Sequence, residues 1–174
     1  MTKRFDRTDL GEKLHVQTLA GIAHYDRDRR CAYEQAFVLM RQMQLPYIQQ
    51  EEFYRRMVFN VIARNHDDHT KNHSFLMDNN GRWSLAPAYD VCYSYNPYGR
   101  WTNRHQMSVN GKRDGFTRGD LLTVAERMGI KRGKEIIEKV IDTISDWGRF
   151  AAEAGVKAGH LKEIKSNLSK TLII

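Results

Sequence analysis

One polar segment constrains the fold of this chain more than any other feature. Residues 65–73 read Asn-His-Asp-Asp-His-Thr-Lys-Asn-His, between an apolar-striped segment and two β-prone runs. The stripe over about residues 47–63 predicts a buried helix. The runs Ser74–Met77 and Trp83–Leu85 flank an Asn-Gly pair, a strong signal for a hairpin turn. Because a hairpin brings its two ends together, the sequence predicts that Asp90 lies close to the polar segment.

The rest of the chain predicts a mostly α-helical single domain over residues 1–174. A length of 174 residues suits one domain. Residues 93–113 are rich in Tyr, Asn and Gly and predict a long loop, with one short strand near residues 106–109. Helical spacing of apolar residues recurs over residues 14–23, 33–43, 47–63, 117–125, 136–147 and 161–168.

Composition narrows the class of partner and the compartment. The net charge of +7 favours anionic partners, but no arginine-rich tail is present, so direct nucleic-acid binding is not expected. Cys31 and Cys92 form no C-x-x-C pair, which fits a reducing compartment. No apolar run approaches the length of a membrane span. The interpretation is a cytoplasmic protein without a membrane partner.

Three side chains around the polar segment have the order that phosphoryl transfer requires. Asp67 and Asn72 stand in D-x-x-x-x-N spacing, and Asp90 follows the predicted hairpin. Asp67 would orient an attacking hydroxyl, and Asn72 and Asp90 would offer hard oxygen ligands to a metal ion on nucleotide phosphates. Lys71 would meet a phosphoryl group as a point charge. Structural roles remain open for each residue: helix capping for Asp67 and Asp68, a turn for Asp90 and a solvated charge for Lys71.

A different chemistry fits part of the same segment. His66, Asp67 and His69 have the composition of a transition-metal site in a metal-dependent phosphohydrolase. Such a site usually recruits a further ligand from a distant helix. The candidates are His15, His24, His105 and His160, for which a surface or supporting role is the simpler interpretation.

The polar segment also resembles a known family. Residues 65–76, then the run Trp-Ser-Leu-Ala-Pro-Ala-Tyr-Asp-Val at 83–91, resemble the catalytic core of the HipA-type serine/threonine kinases, the toxin subunits of bacterial type II toxin–antitoxin pairs. Residues 3–7 resemble the interlobe hinge of that family, and residues 14–17 resemble the helix start that follows it. Residues 108–112 resemble a segment after the metal-binding aspartate. The implied fold is a protein-kinase-like C-terminal lobe, a helical bundle with a small β-hairpin at the active face.

The resemblance assigns roles position by position. It makes Asp67 the catalytic aspartate and Asn72 and Asp90 the ligands of Mg²⁺ on ATP. The backbone of Lys3, Arg4 and Phe5 would meet the adenine edge. The nucleotide would be lined by His69, Thr70, Lys71, Asn72 and Tyr89. Asp68 stands where some family members carry glycine, and it would add negative charge near the phosphates.

The resemblance also implies partners. It covers a C-terminal lobe and no phosphate-covering loop or strand lysine, so we expect the isolated chain to need an N-lobe, from its parent or from a separate chain. The full protein would phosphorylate Ser or Thr of a protein, with an aminoacyl-tRNA synthetase as the family's example, and would pair with a DNA-binding antitoxin. The alternative is a non-catalytic subunit that binds a partner.

Overall fold

A helical domain with one small sheet forms the structure, a computed structural model that describes residues 4–26 and 30–171. The elements in chain order are β1 (His15–Thr18), α1 (Leu19–Ile22), α2 (Tyr33–Gln42), α3 (Tyr47–Ile62), β2 (Ser74–Met77), β3 (Trp83–Leu85), α4 (Arg118–Arg127), α5 (Gly133–Ser145), α6 (Trp147–Glu153) and α7 (Ala158–Ser169). None of the described helices is both long enough and apolar enough to cross a membrane.

Helix α3 lies at the centre of the core. Its Phe53, Tyr54 and Met57 are fully buried, and Phe53 meets Phe37 of α2 with ring centroids 5.1 Å apart. Helices α4 and α5 cover α3 from another direction. A Cβ on Gly133 would lie 2.5 Å from the Cβ of Ala125, so only glycine allows α4 and α5 to approach this closely.

The sheet has the order β1–β2–β3 and is antiparallel throughout. The predicted hairpin is confirmed with the predicted strand limits. The predicted helix over residues 14–23 is wrong in its first half, because residues 15–18 pair with β2, with Val16 opposite Leu76. Helix begins only after Thr18, whose hydroxyl accepts a hydrogen bond from the Gly21 amide at 3.1 Å. The apolar residues of this segment fit both periods, and the free edge of β2 decides between them.

The other predicted elements are confirmed with small changes. Helices α2 and α3 end within a residue of the predicted limits, and Thr117 caps α4 in a capping box with Asp120. Helix α5 begins at Gly133, ahead of the predicted residue 136, and α6 was not predicted. The strand predicted near residues 106–109 is wrong, because that segment forms only isolated bridges, one of them from Ser108 to Ala32.

Candidate active site

The polar loop, residues 65–73, begins where α3 ends against the core. Arg64 adopts a left-handed backbone conformation, with φ of 55°, and the Asn65 amide donates back to the Asn60 carbonyl at 2.9 Å. This geometry stops the helix and redirects the chain. The Arg64 guanidinium lies 3.7 Å from the ring centroid of Tyr95, which fixes the exit of the helix against a later loop.

A series of hydrogen bonds ties the polar loop to the interior. The Asp67 amide donates to Ser94 Oγ at 2.9 Å, and Ser94 Oγ donates to Asn65 Oδ1 at 3.2 Å. Asn65 Nδ2 donates to Asn60 Oδ1 at 3.0 Å, and Asn60 Nδ2 donates to the Tyr33 hydroxyl at 2.9 Å. The Tyr33 hydroxyl then donates to Asp68 Oδ2 at 2.9 Å. The series starts and ends at adjacent residues of the loop, so it holds the backbone there in one conformation.

Asp68 is the centre of this network and points into the protein. It is 1% exposed, and its carboxylate accepts hydrogen bonds from His105 Nδ1 at 2.9 Å and from the Gln106 amide at 2.7 Å. Burial alone would raise the pKa of Asp68, but His105 and these hydrogen bonds hold the pKa below its ordinary value. Asp68 also lines the small cavity that Asn72 and Asp90 line, so its charge lies beside the predicted cation ligands, and its effect on a bound nucleotide stays a prediction.

Asp67, by contrast, faces out of the fold. Its side chain is 41% exposed, and its Oδ1 lies 3.8 Å from His69 Nε2. The neighbouring Asn72 uses its amide nitrogen within the loop, since Nδ2 donates to the Asp67 carbonyl at 2.8 Å. That hydrogen bond fixes the orientation of the Asn72 side-chain amide, so Asn72 Oδ1 is the oxygen that remains available to a ligand. The arrangement suits a hydroxyl at Asp67 and a hard cation at Asn72.

Asp90 lies beside Asn72 in space. The two residues line one small cavity together with Tyr89. Asp90 has a φ of 53°, in the left-handed region that few side chains adopt. Burial raises the pKa of the Cys92 thiol, and the carboxylates of Asp90 and Asp67 raise it further. Both carboxylates therefore lie close enough to Cys92 to affect its thiol. The hairpin thus brings Asp90 near the polar loop, as the sequence predicts.

Tyr89 joins three parts of the candidate site. Its hydroxyl donates to the Lys71 carbonyl at 2.6 Å and shares a hydrogen bond with Ser74 Oγ at 2.5 Å. Its ring centroid lies 5.5 Å from that of Phe5.

Arg4 forms two hydrogen bonds with Asp6, at 2.7 and 2.6 Å, and with them lowers the pKa of Asp6 to about 2. Lys3 lies outside the described residues.

The predicted site residues fall into two neighbouring cavities. Asn72, Tyr89 and Asp90 line the first. The second is lined by Asp67 with His69, Thr70 and Lys71, together with Trp101 and Gln106. Asn72 and Asp67 therefore share the polar loop but line different cavities, and Asp90 joins Asn72 from the segment after the hairpin.

Two of the three histidines of the polar loop, His66 and His73, are buried in the fold. His66 is 2% exposed and its ring centroid lies 4.1 Å from that of His105. Burial, and then the neighbouring His105 and Arg64, lower the pKa of His66 to about 3. Among residues 4–26 and 30–171, no three His, Cys, Asp or Glu side chains are placed to hold a metal ion. This arrangement gives the phosphohydrolase alternative no support.

Sequence reasoning missed the residues that support the polar loop. Tyr33 and His105 approach Asp68 from 35 and 37 positions away, and Ser94 reaches the loop from the segment after Asp90. The available signal was Tyr33 itself, since a tyrosine on the apolar face of a helix usually finds a partner for its hydroxyl. No local pattern marks Ser94 or His105.

Comparison with known proteins places this domain in a family. The model of the HipA-like C-terminal domain matches residues 1–148. The chain belongs to the HipA-like C-terminal domain family.

Two known proteins show how much of a longer protein this HipA-like domain represents. A Haemophilus influenzae protein named "Putative kinase" is 30% identical over an alignment of 105 residues that covers 55% of this chain and 30% of that protein. The Shewanella oneidensis MR-1 complex of HipA, HipB and operator DNA contains a similar fold, with a TM-score of 0.75 and 17% identity. That match covers 98% of this chain and 46% of the other. This chain therefore spans less than half the length of either protein.

Proposed function

We propose that this HipA-like domain carries the catalytic and metal-binding half of a serine/threonine protein kinase site. Family membership and the named relative make a kinase plausible. The observation that supports the specific roles is the position of Asn72. Its Nδ2 donates to the Asp67 carbonyl, which leaves Oδ1 available, and Asn72 lines a cavity together with Asp90. Asn72 and the exposed carboxylate of Asp67 then lie on one loop, and the second oxygen ligand, Asp90, lies beside it.

The roles of the residues follow from phosphoryl-transfer chemistry. ATP would supply the phosphoryl group, and Mg²⁺ would neutralise part of the negative charge of the phosphates. Asn72 and Asp90 hold the cation, and Asp67 accepts the hydrogen bond of the attacking hydroxyl and directs its lone pair. Phe5 and Tyr89 present an aromatic surface for the nucleotide, and the network around Asp68 keeps these groups in register.

We extend the proposal to the partners of the full protein. The solved relative was crystallised with HipB and operator DNA, so we propose that a DNA-binding antitoxin binds this protein as well, in the cytoplasm. The resemblance makes an aminoacyl-tRNA synthetase the first protein substrate to test. We also propose that the complete kinase site includes an N-lobe, either from the same parent protein or from a separate chain.

Calorimetry of ATP binding tests the metal ligands directly. We expect binding that requires Mg²⁺ in this chain and at least about tenfold weaker binding in Asp90→Asn, which loses the charge and keeps a residue that tolerates positive φ. Asp142→Asn, an exposed change of the same charge on α5, is the control. Binding that ignores Mg²⁺, or an Asp90→Asn variant that matches Asp142→Asn, would contradict the proposal.

A further inference from the structure

An arginine-rich cavity lies next to the cavity of Asp67. It has a volume of about 260 Å³. Its wall includes Arg30, Arg100, Arg104 and Arg113, and we call this cavity the arginine pocket. Among residues 4–26 and 30–171, no aspartate or glutamate lines it. Four guanidinium groups without an acidic residue between them form a site for an anion.

No carboxylate forms an ion pair with the arginine pocket within the described part of the chain. The ion pairs of residues 4–26 and 30–171 use other basic residues, and none joins a carboxylate to these four arginines. Burial, and then Arg104 and Arg30, lower the pKa of Arg113, and the buried Asp68 carboxylate opposes them only in part. The arginines are therefore close enough to repel one another, and a bound anion would relieve that repulsion.

The position of the arginine pocket connects it to the candidate active site. It shares His69, Thr70, Trp101 and Gln106 with the cavity that Asp67 lines. Neither Asn72 nor Asp90 contributes to it. A group bound among the arginines would therefore adjoin the space of the attacking hydroxyl, away from the predicted cation ligands.

Trp101 gives the wall of the arginine pocket a flat apolar surface. The residue is 53% exposed, and the Arg100 guanidinium lies 4.9 Å from its ring centroid. An exposed tryptophan beside an arginine is a composition typical of surfaces that bind protein partners. An extended peptide can therefore pack on the ring while an acidic side chain enters among the arginines.

We propose that the arginine pocket binds an acidic side chain of the protein substrate, a carboxylate or a phosphate, next to the hydroxyl that Asp67 receives. This proposal rests on the proposed function for the nature of the substrate. Guanidinium groups bind both oxyanions through paired N–H donors, and several of them together select against neutral or basic segments. The arginine pocket would then determine which serine or threonine is presented to Asp67.

Three peptides distinguish the sources of the anion. They share one sequence with a central serine and differ at one neighbouring position, which is glutamate, phosphoserine or glutamine. Binding is followed by tryptophan fluorescence without ATP or Mg²⁺, and inorganic phosphate is titrated alongside. We expect the glutamate or the phosphoserine peptide to bind at least about fivefold tighter than the glutamine peptide. The tighter of the two identifies carboxylate or phosphate as the group that the arginine pocket takes.

Charge-removing variants locate the binding. Arg100→Gln and Arg104→Gln change exposed side chains and are each expected to weaken the acidic peptide by about fivefold to tenfold. Arg82→Gln on the hairpin turn removes the same charge outside the arginine pocket and is the control. A substitution of Trp101 by Phe should remove most of the fluorescence change.

Specific outcomes would overturn the proposal. They are equal binding of all three peptides, binding of inorganic phosphate alone, displacement of the peptide by ATP, or Arg100 and Arg104 variants that behave like Arg82→Gln. Since no nucleotide is present in the binding measurement, it stays informative if Asp90→Asn leaves ATP binding unchanged. Conversely, Mg²⁺-dependent ATP binding can hold while the arginine pocket binds no peptide, so the two proposals fail separately.

Discussion

Two loops of the candidate site, the polar loop and a later segment, are held in different ways. In the polar loop, residues 65–73, four side chains are buried: Asn65, His66, Asp68 and His73. In the distal loop, residues 90–104, none is buried. The polar loop is fixed by side chains of α2, α3 and His105 and by the backbone amide of Gln106, whereas the distal loop contacts it through Ser94 and Tyr95.

This difference separates two requirements of the proposed site. Asp67 and Asn72, which are proposed to position a hydroxyl and a cation, must hold their geometry, and they sit on the loop that the interior fixes. The second proposed cation ligand, Asp90, and the arginines proposed to select substrates, Arg100 and Arg104, sit on the exposed loop, where a change costs little stability. The same chain therefore combines a fixed reaction geometry with a surface that tolerates change.

The largest expected effect comes from the adjacent aspartates. Asp68→Ala would leave the Tyr33 hydroxyl, His105 and the Gln106 amide without their buried partner, so we expect a loss of about 3–5 kcal/mol in the free energy of unfolding. Asp67→Ala, at an exposed side chain, should change it by less than about 0.5 kcal/mol. Urea unfolding of both variants measures the difference. Equal effects would contradict the conclusion that the polar loop is held through the buried carboxylate of Asp68.

A second effect is a loss of stability in mild acid. Burial lowers the pKa of His66 to about 3 and that of His73 to about 4, from 6.5. The unfolded chain therefore binds protons below pH 6.5 while the folded chain does not, so stability falls as the pH drops from 6.5 toward 4. Each histidine contributes up to roughly 1.4 kcal/mol per pH unit.

Unfolding measured across this pH window tests the assignment. His73→Phe keeps an aromatic ring against Tyr33 and Phe53 and removes one titrating group, so the slope should fall by about half. His160→Phe, at an exposed histidine of α7, is the matched control and should retain the full slope. A flat stability between pH 6.5 and 4 would contradict the burial of neutral histidines.

The candidate site residues and the contacts that support them were unequally predictable from sequence. The order of Asp67, Asn72 and Asp90 and the hairpin between them depend on short-range signals, such as the Asn-Gly turn and the helix stripe, so local reasoning found them. The partners of Asp68 come together only when α2, α3 and residues 105–107 pack, and no local pattern encodes that. The strand at residues 15–18 was missed for a similar reason, because its pairing with β2 is a long-range interaction that overrides local spacing.

The smallest expected effect concerns the backbone of the distal loop at Asp90. At its φ of 53°, asparagine is tolerated, while alanine pays a conformational cost of about 1 kcal/mol. Asp90→Ala should therefore unfold at lower urea concentration than Asp90→Asn, although both lose the carboxylate and are expected to lose Mg²⁺-dependent ATP binding alike. Asp90→Gly should remove the steric cost but also increase the conformational entropy of the unfolded chain. If alanine and asparagine gave equal stability, the distal loop would relax around position 90, and its cation ligand would not be held as firmly as Asn72.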